Sequence, residues 1–322
     1  MKAIRPAEPG GPATLRLDEF PDPIPGPGEL VVETRAIGVN YIDVYHRTGL
    51  YQTPRPIPMG LEGAGVVQAV GEGVTTARVG QRVAWCQAPG SYATRAVVPA
   101  ARVVEVPDGV DDRVAAALLL QGMTAHYLVT DTFPLRPGHV ALVHAAAGGV
   151  GLLLVQLAKR AGARVIGTVS TPEKARLSRE AGADEIIFYR EHAVDDEVRR
   201  LTGGRGVDVV YDSVGRSTFE QSLRSLRTRG YLVLYGQSSG PVPPLDPQVL
   251  SARGSLFLTR PTLGHYTQER GELVARANDL FGALARDTLK LHIGAEFPLA
   301  DARAAHEALE GRATTGKVLL LP

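Results

Sequence analysis

The chain has 322 residues, 44% of them hydrophobic and 21% charged, with a net charge of +1. That length suggests about two domains with ample core, and the near balance of charge gives no electrostatic footprint for nucleic acid or an anionic membrane. No apolar run is long enough to span a bilayer, Arg5, Pro6, Glu8 and Pro9 interrupt the start where a secretory signal needs unbroken apolar residues, and the one cysteine, Cys86, excludes an internal disulfide and a four-thiolate zinc site and fits a reducing cytoplasm.

Before Asp111 the pattern is mostly β. Strands are expected over Gly28–Val39, Gly65–Val70, Gly80–Ala84 and Ser91–Val98, with turn chemistry at Gly71-Glu72-Gly73 and Pro107-Asp108-Gly109 and little helical periodicity. Two helices follow, Asp111–Leu120 and Thr124–Thr132, with Gln121-Gly122 between them, and they lead into a second domain.

From His139 to Ser170 the chain reads without interruption as strand, tight turn, helix and strand. The apolar strand Val140–His144 runs into Ala146-x-Gly148-x-x-Gly151, a dinucleotide fingerprint with alanine in its first glycine position. Ala146 suits a tight turn, Gly148 lets the backbone approach a pyrophosphate, and Gly151 lets the helix pack on its strand. The peptide N–H groups and dipole of the helix start favour an anion there. Further strands are expected at Arg164–Val169, Glu185–Phe188, Val207–Asp212, Tyr231–Tyr235 and Ser255–Thr259, with helices such as Pro172–Ala181 and Thr218–Arg229 among them. With the first strand that makes a six-stranded doubly wound α/β sheet. Asp212, at the end of one strand, reads equally as a functional acid or as a cap on the following turn.

Beyond the sixth strand come helical stretches over Thr267–Asp287 and Ala300–Glu310 and a final strand, Lys317–Leu321. That strand is expected to return to the N-terminal domain, since the six-stranded sheet is already full.

The stretches AIGVNYIDVYHRTGLY (36–51), HAAAGGVGLL (144–153), VVYDSVG (209–215), GQSSG (236–240), LTRPTL (258–263) and GRATTGK (311–317) occur in that order. Together they resemble the zeta-crystallin-type NADPH:quinone oxidoreductases, a zinc-independent branch of the medium-chain dehydrogenase/reductase superfamily. The resemblance covers essentially the whole chain. It implies a GroES-like, mostly-β catalytic domain over 1–122, completed by 265–322, and a six-stranded Rossmann domain over 123–264 that binds NADPH.

Zinc alcohol dehydrogenases of the same superfamily hold their metal with an early cysteine, a histidine–glutamate pair and a later ligand. Here Asn40 stands at the cysteine position and Gly60-Leu61-Glu62 at the glycine–histidine–glutamate position. Amide and leucine cannot replace thiolate and imidazole, and a lone His46 beside Tyr45 does not make a metal site. Without a Lewis acid, alcohol oxidation loses its electrophile. Quinones and conjugated enones still accept hydride directly, so the protein need only align donor and acceptor.

By the same resemblance, Asn40 and Tyr45 approach the nicotinamide half and Tyr51 lines the acceptor cavity, with no proton donor identified. The cofactor contacts fall on Tyr41, Ile42 and Thr124, on Gly148, Gly149 and Val150 of the turn, and on Gly167 in the second strand. Others are Ser213, Gly236, Gln237, Ser238 and Ser239, together with Leu258, Thr259 and Arg260. Tyr189 lies beside the adenosine phosphate and Arg312 near the cofactor's phosphates. Coenzyme choice is read at the end of the second strand, where an NAD enzyme places an acid for the ribose hydroxyls. Val169-Ser170-Thr171-Pro172-Glu173-Lys174 has no acid at the strand end. Ser170 and Lys174 suit a 2′-phosphate, so NADPH is expected.

The leading expectation is NADPH-dependent reduction of small quinones. An enone or alkenal reductase with the same hydride chemistry is the alternative, and a non-catalytic lens-type or nucleic-acid-binding protein is the reading from another class. The apolar SLFLT strand at one end of the sheet would be an aggregation hazard if left open. Relatives cover that edge by pairing, which implies a homodimer.

Overall fold

A computed structural model describes every residue, Met1–Pro322. The N-terminal part holds strands β1 (Lys2–Ile4), β2 (Leu17–Glu19) and β3 (Glu29–Val39), helix α1 (Tyr41–Arg47), and strands β4 (Glu62–Val70), β5 (Arg82–Cys86), β6 (Arg95–Pro99) and β7 (Val103–Glu105). Helix α2 (Asp112–Tyr127) precedes β8 (Val140–Val143), α3 (Gly149–Arg160), β9 (Arg164–Val169), α4 (Pro172–Glu180), β10 (Glu185–Phe188) and α5 (Val194–Leu201). Next come β11 (Val207–Asp212), α6 (Phe219–Ser225), β12 (Leu226–Leu234), α7 (Gln248–Ala252) and β13 (Phe257–Thr259). The chain ends with α8 (Arg270–Ala285), β14 (Ile293–Pro298), α9 (Ala302–Glu310) and β15 (Lys317–Leu321). Two compact units result, one of Met1–Met123 with Thr267–Pro322 and one of Thr124–Tyr266.

In the second unit the strand order is β10-β9-β8-β11-β12-β13, with every pairing parallel. The order reverses between β8 and β11, and this switch point is where open α/β sheets bind ligands. All four residues of β8 and all six of β11 are buried, as expected of strands covered by helices on both faces. In the first unit the order is β14-β15-β3-β4-β5-β7, with β6 also on β3. The closing strand returns there as expected: β15 runs antiparallel to β3, with Leu319 opposite Gly38.

Several expectations need correction. There is no break at Gln121-Gly122; α2 runs through it and then passes into one π-helical turn, Leu128–Thr132. Gly122 sits where a Cβ would come 3.0 Å from Leu280 Cδ1 and 3.3 Å from Leu118 Cδ1, so close packing outweighs its poor helix propensity. The helix expected to reach Arg229 stops at Ser225, because Leu226 is buried opposite Val207 as the start of β12. Strands β4 and β5 cover Glu62–Val70 and Arg82–Cys86 rather than 65–70 and 80–84, β6 begins at Arg95, and β13 begins at Phe257. Helix α1 and strand β14 were not expected, the first lying where helical periodicity is weak.

Candidate active site

At the glycine turn, Ala145, not Ala146, takes the left-handed conformation, with φ 51°. Ala146 is fully buried and its N–H donates to Thr168 O at 3.1 Å, tying the turn to β9. Gly151 is the most constrained residue of the motif: a Cβ there would lie 2.3 Å from Ala145 O. At Gly148 the same oxygen would be 3.2 Å away, so the fold nearly tolerates a side chain and the glycine instead keeps the helix start open. Gly149 and Val150 open α3 and are partly exposed. Their N–H groups have no partner one turn earlier and suit an anion. Gly167 is a buried spacer, since a Cβ would meet Ala146 Cβ at 2.8 Å.

Next to this turn, β9 and β10 end in register, Val169 beside Phe188, and Tyr189 N–H donates to Val169 O at 3.2 Å. Tyr189, exposed, therefore stands beside Ser170. Helix α4 starts at Pro172 with Thr171 as its N-cap, and Thr171 Oγ1 accepts from Lys174 N–H at 3.3 Å. Lys174 lies in the first turn, half-buried, whereas Glu173 is exposed. Ser170, Lys174 and Tyr189 thus gather at the carboxyl ends of two adjacent strands.

Loops after β11 and β12 are stitched to each other. Ser239 N–H and Oγ both donate to Val214 O, at 2.8 and 2.7 Å, and Ser238 N–H donates to Ser213 O at 3.2 Å. A Cβ on Gly236 would lie 2.6 Å from Ser213 O, so this position, like its neighbours Gln237 to Ser239, is set by the loop contact. Asp212 resolves as a cap: its carboxylate accepts from Val214 N–H (2.8 Å), Gly215 N–H (3.0 Å), Thr218 Oγ1 (2.7 Å) and Ser222 Oγ (2.8 Å). Ser222 Oγ is also 3.0 Å from His144 Nε2, whose Nδ1 is 3.2 Å from Thr168 Oγ1. Since Ser222 gives its proton to Asp212, His144 donates through Nε2 and accepts at Nδ1. Burial lowers the imidazole pKa, against a raising effect of Asp212, in keeping with a neutral ring. Leu258 and Thr259 lie on the edge strand β13, Arg260 follows exposed, and Thr124 is buried in α2.

In the first unit, α1 carries Tyr41 and Tyr45 one turn apart, with Ile42 partly buried between them. The rings of Tyr41 and Tyr45 are 5.4 Å apart, those of Tyr45 and Tyr51 5.1 Å, and His46 lies 6.1 Å from Tyr51. Burial lowers the His46 pKa. Burial and then Glu310 raise that of the Tyr41 phenol, while Arg312 and Arg47 oppose them. Arg312 itself is exposed in a left-handed conformation, φ 58°, just beyond α9.

Asn40 is only 3% exposed. Its Nδ2 donates to Glu62 Oε2 (2.9 Å) and Gly38 O (3.2 Å), and its Oδ1 accepts from Lys317 Nζ (2.9 Å). Lys317 Nζ also donates to Glu62 Oε2 (2.5 Å), and Leu120 N–H donates to Glu62 Oε1 (2.6 Å). Gly38 makes room, since a Cβ would lie 2.4 Å from Glu62 Oε2 and 2.8 Å from Lys317 Nζ. Both amide protons of Asn40 are used inside the unit, so this geometry lends no support to Asn40 as a nicotinamide contact and makes it the anchor of α1. A metal does not fit either: Leu61 offers no donor atom, and the Lys317 ammonium already supplies the positive charge that Glu62 faces.

Lys317, Asp43, Arg47, Tyr92 and His306, all buried, escaped the sequence reading. Asp43, three residues after Asn40 at a helix start, carried the one local signal, that of an N-terminal capping acid.

Family models match two stretches of the chain, an alcohol dehydrogenase GroES-like domain at residues 26–108 and a zinc-binding dehydrogenase at 149–276. A quinone oxidoreductase of Pseudomonas aeruginosa is 47% identical over 100% of this chain and 99% of its own length. A 2-haloacrylate reductase of a Burkholderia species is 44% identical over 97% of this chain and 96% of its own. The crystal structure of Escherichia coli quinone oxidoreductase complexed with NADPH superposes with a TM-score of 0.98 at 42% identity, covering 100% of both chains.

Proposed function

Because the chain belongs to the quinone oxidoreductases of the medium-chain dehydrogenase/reductase superfamily, we infer that it is an NADPH-dependent oxidoreductase that delivers hydride to small quinones. The observation that carries this reading is the full-length match to a quinone oxidoreductase complexed with NADPH, at a TM-score of 0.98. Bound NADPH supplies the hydride and the protein supplies orientation. The N–H groups of Gly149 and Val150 take the pyrophosphate. Lys174, with Ser170 and Tyr189 beside it, takes the 2′-phosphate through a charge-assisted contact. Asp212 and His144 touch neither; they keep the Ser213 and Gly236–Ser239 loops and the glycine turn in place from below. On the first unit, the row Tyr41–Tyr45–Tyr51 receives the acceptor, with Asn40 holding the helix that carries two of the three rings.

A second acceptor class has its own support, since the 44% identical relative is named for reducing 2-haloacrylate, an activated alkene. NADPH oxidation measured against a panel of benzoquinones, 2-haloacrylates, enals and enones decides between them. Turnover confined to the alkenes would overturn the quinone reading. No helix is long and apolar enough to cross a membrane, and we place the enzyme in the cytoplasm as a homodimer. Phe257 and Leu258, 48% and 36% exposed on the edge strand β13, support pairing of that edge with a second copy.

A further inference from the structure

A chain of buried polar groups runs behind α1 from the opposite side to Lys317. Asp43 Oδ2 accepts from the N–H of Asn40 (2.9 Å) and from Tyr92 Oη (3.0 Å). Tyr92 has one proton, and it goes to Asp43, so the contact of Tyr92 Oη with His306 Nε2 at 3.0 Å must be donated by the histidine. That assigns His306 as the Nε2–H tautomer and leaves Nδ1 to accept from Arg47 Nη1 at 3.4 Å. Arg47 Nη2 in turn pairs with Glu310 at 2.8 Å. Every donor therefore points the same way, from Arg47 through His306 and Tyr92 to Asp43. Asp43, Arg47, Tyr92 and His306 are all buried. Gly60, at φ 82°, makes room for the Tyr92 ring, whose Cδ1 would lie 2.3 Å from a Cβ there. The chain joins α1, α9 and the segment between β5 and β6, and its last acceptor is the residue that closes the first turn of α1.

We propose that Tyr92 and His306 are positioning residues for quinone reduction: through Asp43 they hold the first turn of α1, and with it the tyrosine row, in the geometry that receives the acceptor, and they do so while Asp43 is a carboxylate. This rests on the reading that Tyr45 and Tyr51 meet the acceptor. The carboxylate is the form that accepts these hydrogen bonds most strongly. Oδ2 already takes two donors, and Oδ1 is buried without a partner, so a proton added at Oδ1 would have no acceptor, and the neutral carboxyl would hold Asn40 and Tyr92 less strongly. Around Asp43 stand Asn40 N–H and Arg47 on its own helix, Tyr92 before β6, Glu62 on β4, Lys317 on β15, and His306 and Glu310 on α9. Burial pushes the Asp43 carboxyl up to about 7, against the hydrogen bonds from Asn40 and Tyr92 and the charge of Lys317, with Glu62 adding to the rise. Burial, then Arg47, brings His306 down to about 3, in keeping with its neutral tautomer. Both forms of Asp43 are therefore populated near neutral pH.

The test is the pH profile of kcat/KM for a benzoquinone with NADPH saturating. Wild type is expected to gain activity through an ionisation near neutrality. Tyr92→Phe removes one donor to the carboxylate and moves that limb to higher pH, by about half a unit or more. It also raises KM for the quinone and lowers kcat, while NADPH affinity by fluorescence titration stays as in wild type. His306→Ala moves the limb in the same direction, and His306→Gln, able to donate to Tyr92 and accept from Arg47, restores it. Asp43→Asn removes the limb. The inference is overturned by a wild-type profile without this limb, by a Tyr92→Phe profile that superposes on wild type, by equal profiles for the two His306 variants, or by a limb that survives in Asp43→Asn. Should Tyr92→Phe fail to fold by circular dichroism, the His306 pair decides. Absence of NADPH-dependent quinone turnover in wild type would instead sink the proposed function itself.

Discussion

Lys317→Met removes the ammonium that joins Glu62 and Asn40 while keeping the stem that packs at the start of β15. In the native cluster Glu62 takes three donors: Lys317 Nζ at 2.5 Å, Asn40 Nδ2 at 2.9 Å and Leu120 N–H at 2.6 Å. The variant keeps the last two but leaves a fully buried carboxylate without its counter-charge, and it strips Asn40 Oδ1 of its donor at 2.9 Å. Breaking one side of a buried ion pair costs about 3–5 kcal/mol, and an orphaned buried acceptor about 1–3 kcal/mol within that. A loss of about 4 kcal/mol is therefore expected. The double variant Lys317→Met/Glu62→Gln should recover about half or more of it, because the uncompensated buried charge is gone. Urea unfolding followed by the fluorescence of Trp85, the one tryptophan and fully buried in the first unit, measures both. A single-variant loss below about 1 kcal/mol, or no recovery in the double variant, would refute the account of this cluster as a charge-balanced anchor.

Coenzyme choice gives a functional counterpart. A charge-assisted phosphate contact contributes roughly 1.5–3 kcal/mol, so Lys174→Ala should cut the NADPH-to-NADH ratio of kcat/KM by about ten-fold or more, and Ser170→Asp should cut it further; an unchanged ratio rejects the pocket. At the glycine turn, Gly148→Val should leave the fold intact and weaken NADPH binding, whereas Gly151→Ala, whose Cβ would sit 2.3 Å from a carbonyl oxygen, should lower thermal stability; the opposite pattern in melting and NADPH titration would reverse the two roles. Asp43 holds its proton to about 7 when folded, against 3.8 for an ordinary aspartate, so the unfolded chain releases it first and this group's contribution to stability falls as pH rises from about 4 to 7, by at most about 4 kcal/mol. Wild type should lose stability relative to Asp43→Asn across that window in urea titrations, and parallel curves would contradict the buried-carboxyl assignment. For assembly, Phe257→Glu should shift light scattering from dimer to monomer, and a wild-type monomer at micromolar concentration would end the dimer proposal.

The nucleotide-binding half was the more legible in the chain. Strands β9, β10 and β11 fall on their expected bounds, 164–169, 185–188 and 207–212, because the strands of a helix-covered parallel sheet leave short apolar runs closed by glycine or polar residues. In the mostly-β half β15 falls on its expected bounds and β3 within one residue of them, but β4, β5 and β6 differ from theirs by up to four residues, since these strands are short and bordered by turns whose register is set by partners far along the chain. Helix α1 went unseen because it is short and its stability comes from Asp43, Asn40 and the groups behind them, not from an amphipathic repeat.

Local sequence thus determined the secondary-structure periods, the glycine turn that opens α3 and the absence of an acid at the end of β9, all of which depend on neighbours within a turn or two, while the family resemblance marked 40 and 61 as positions where zinc-binding relatives hold their metal. Tertiary structure alone decided what surrounds those positions. It set Lys317 against Glu62 and Asn40, aligned Arg47, His306, Tyr92 and Asp43 in one donor direction, and turned Asp212 from a possible acid into a cap. It also made Gly167 a spacer for Ala146. The physical reason is that a buried polar group is stable only with its partners in place, and here those partners come from strands and helices that meet only when the chain has folded.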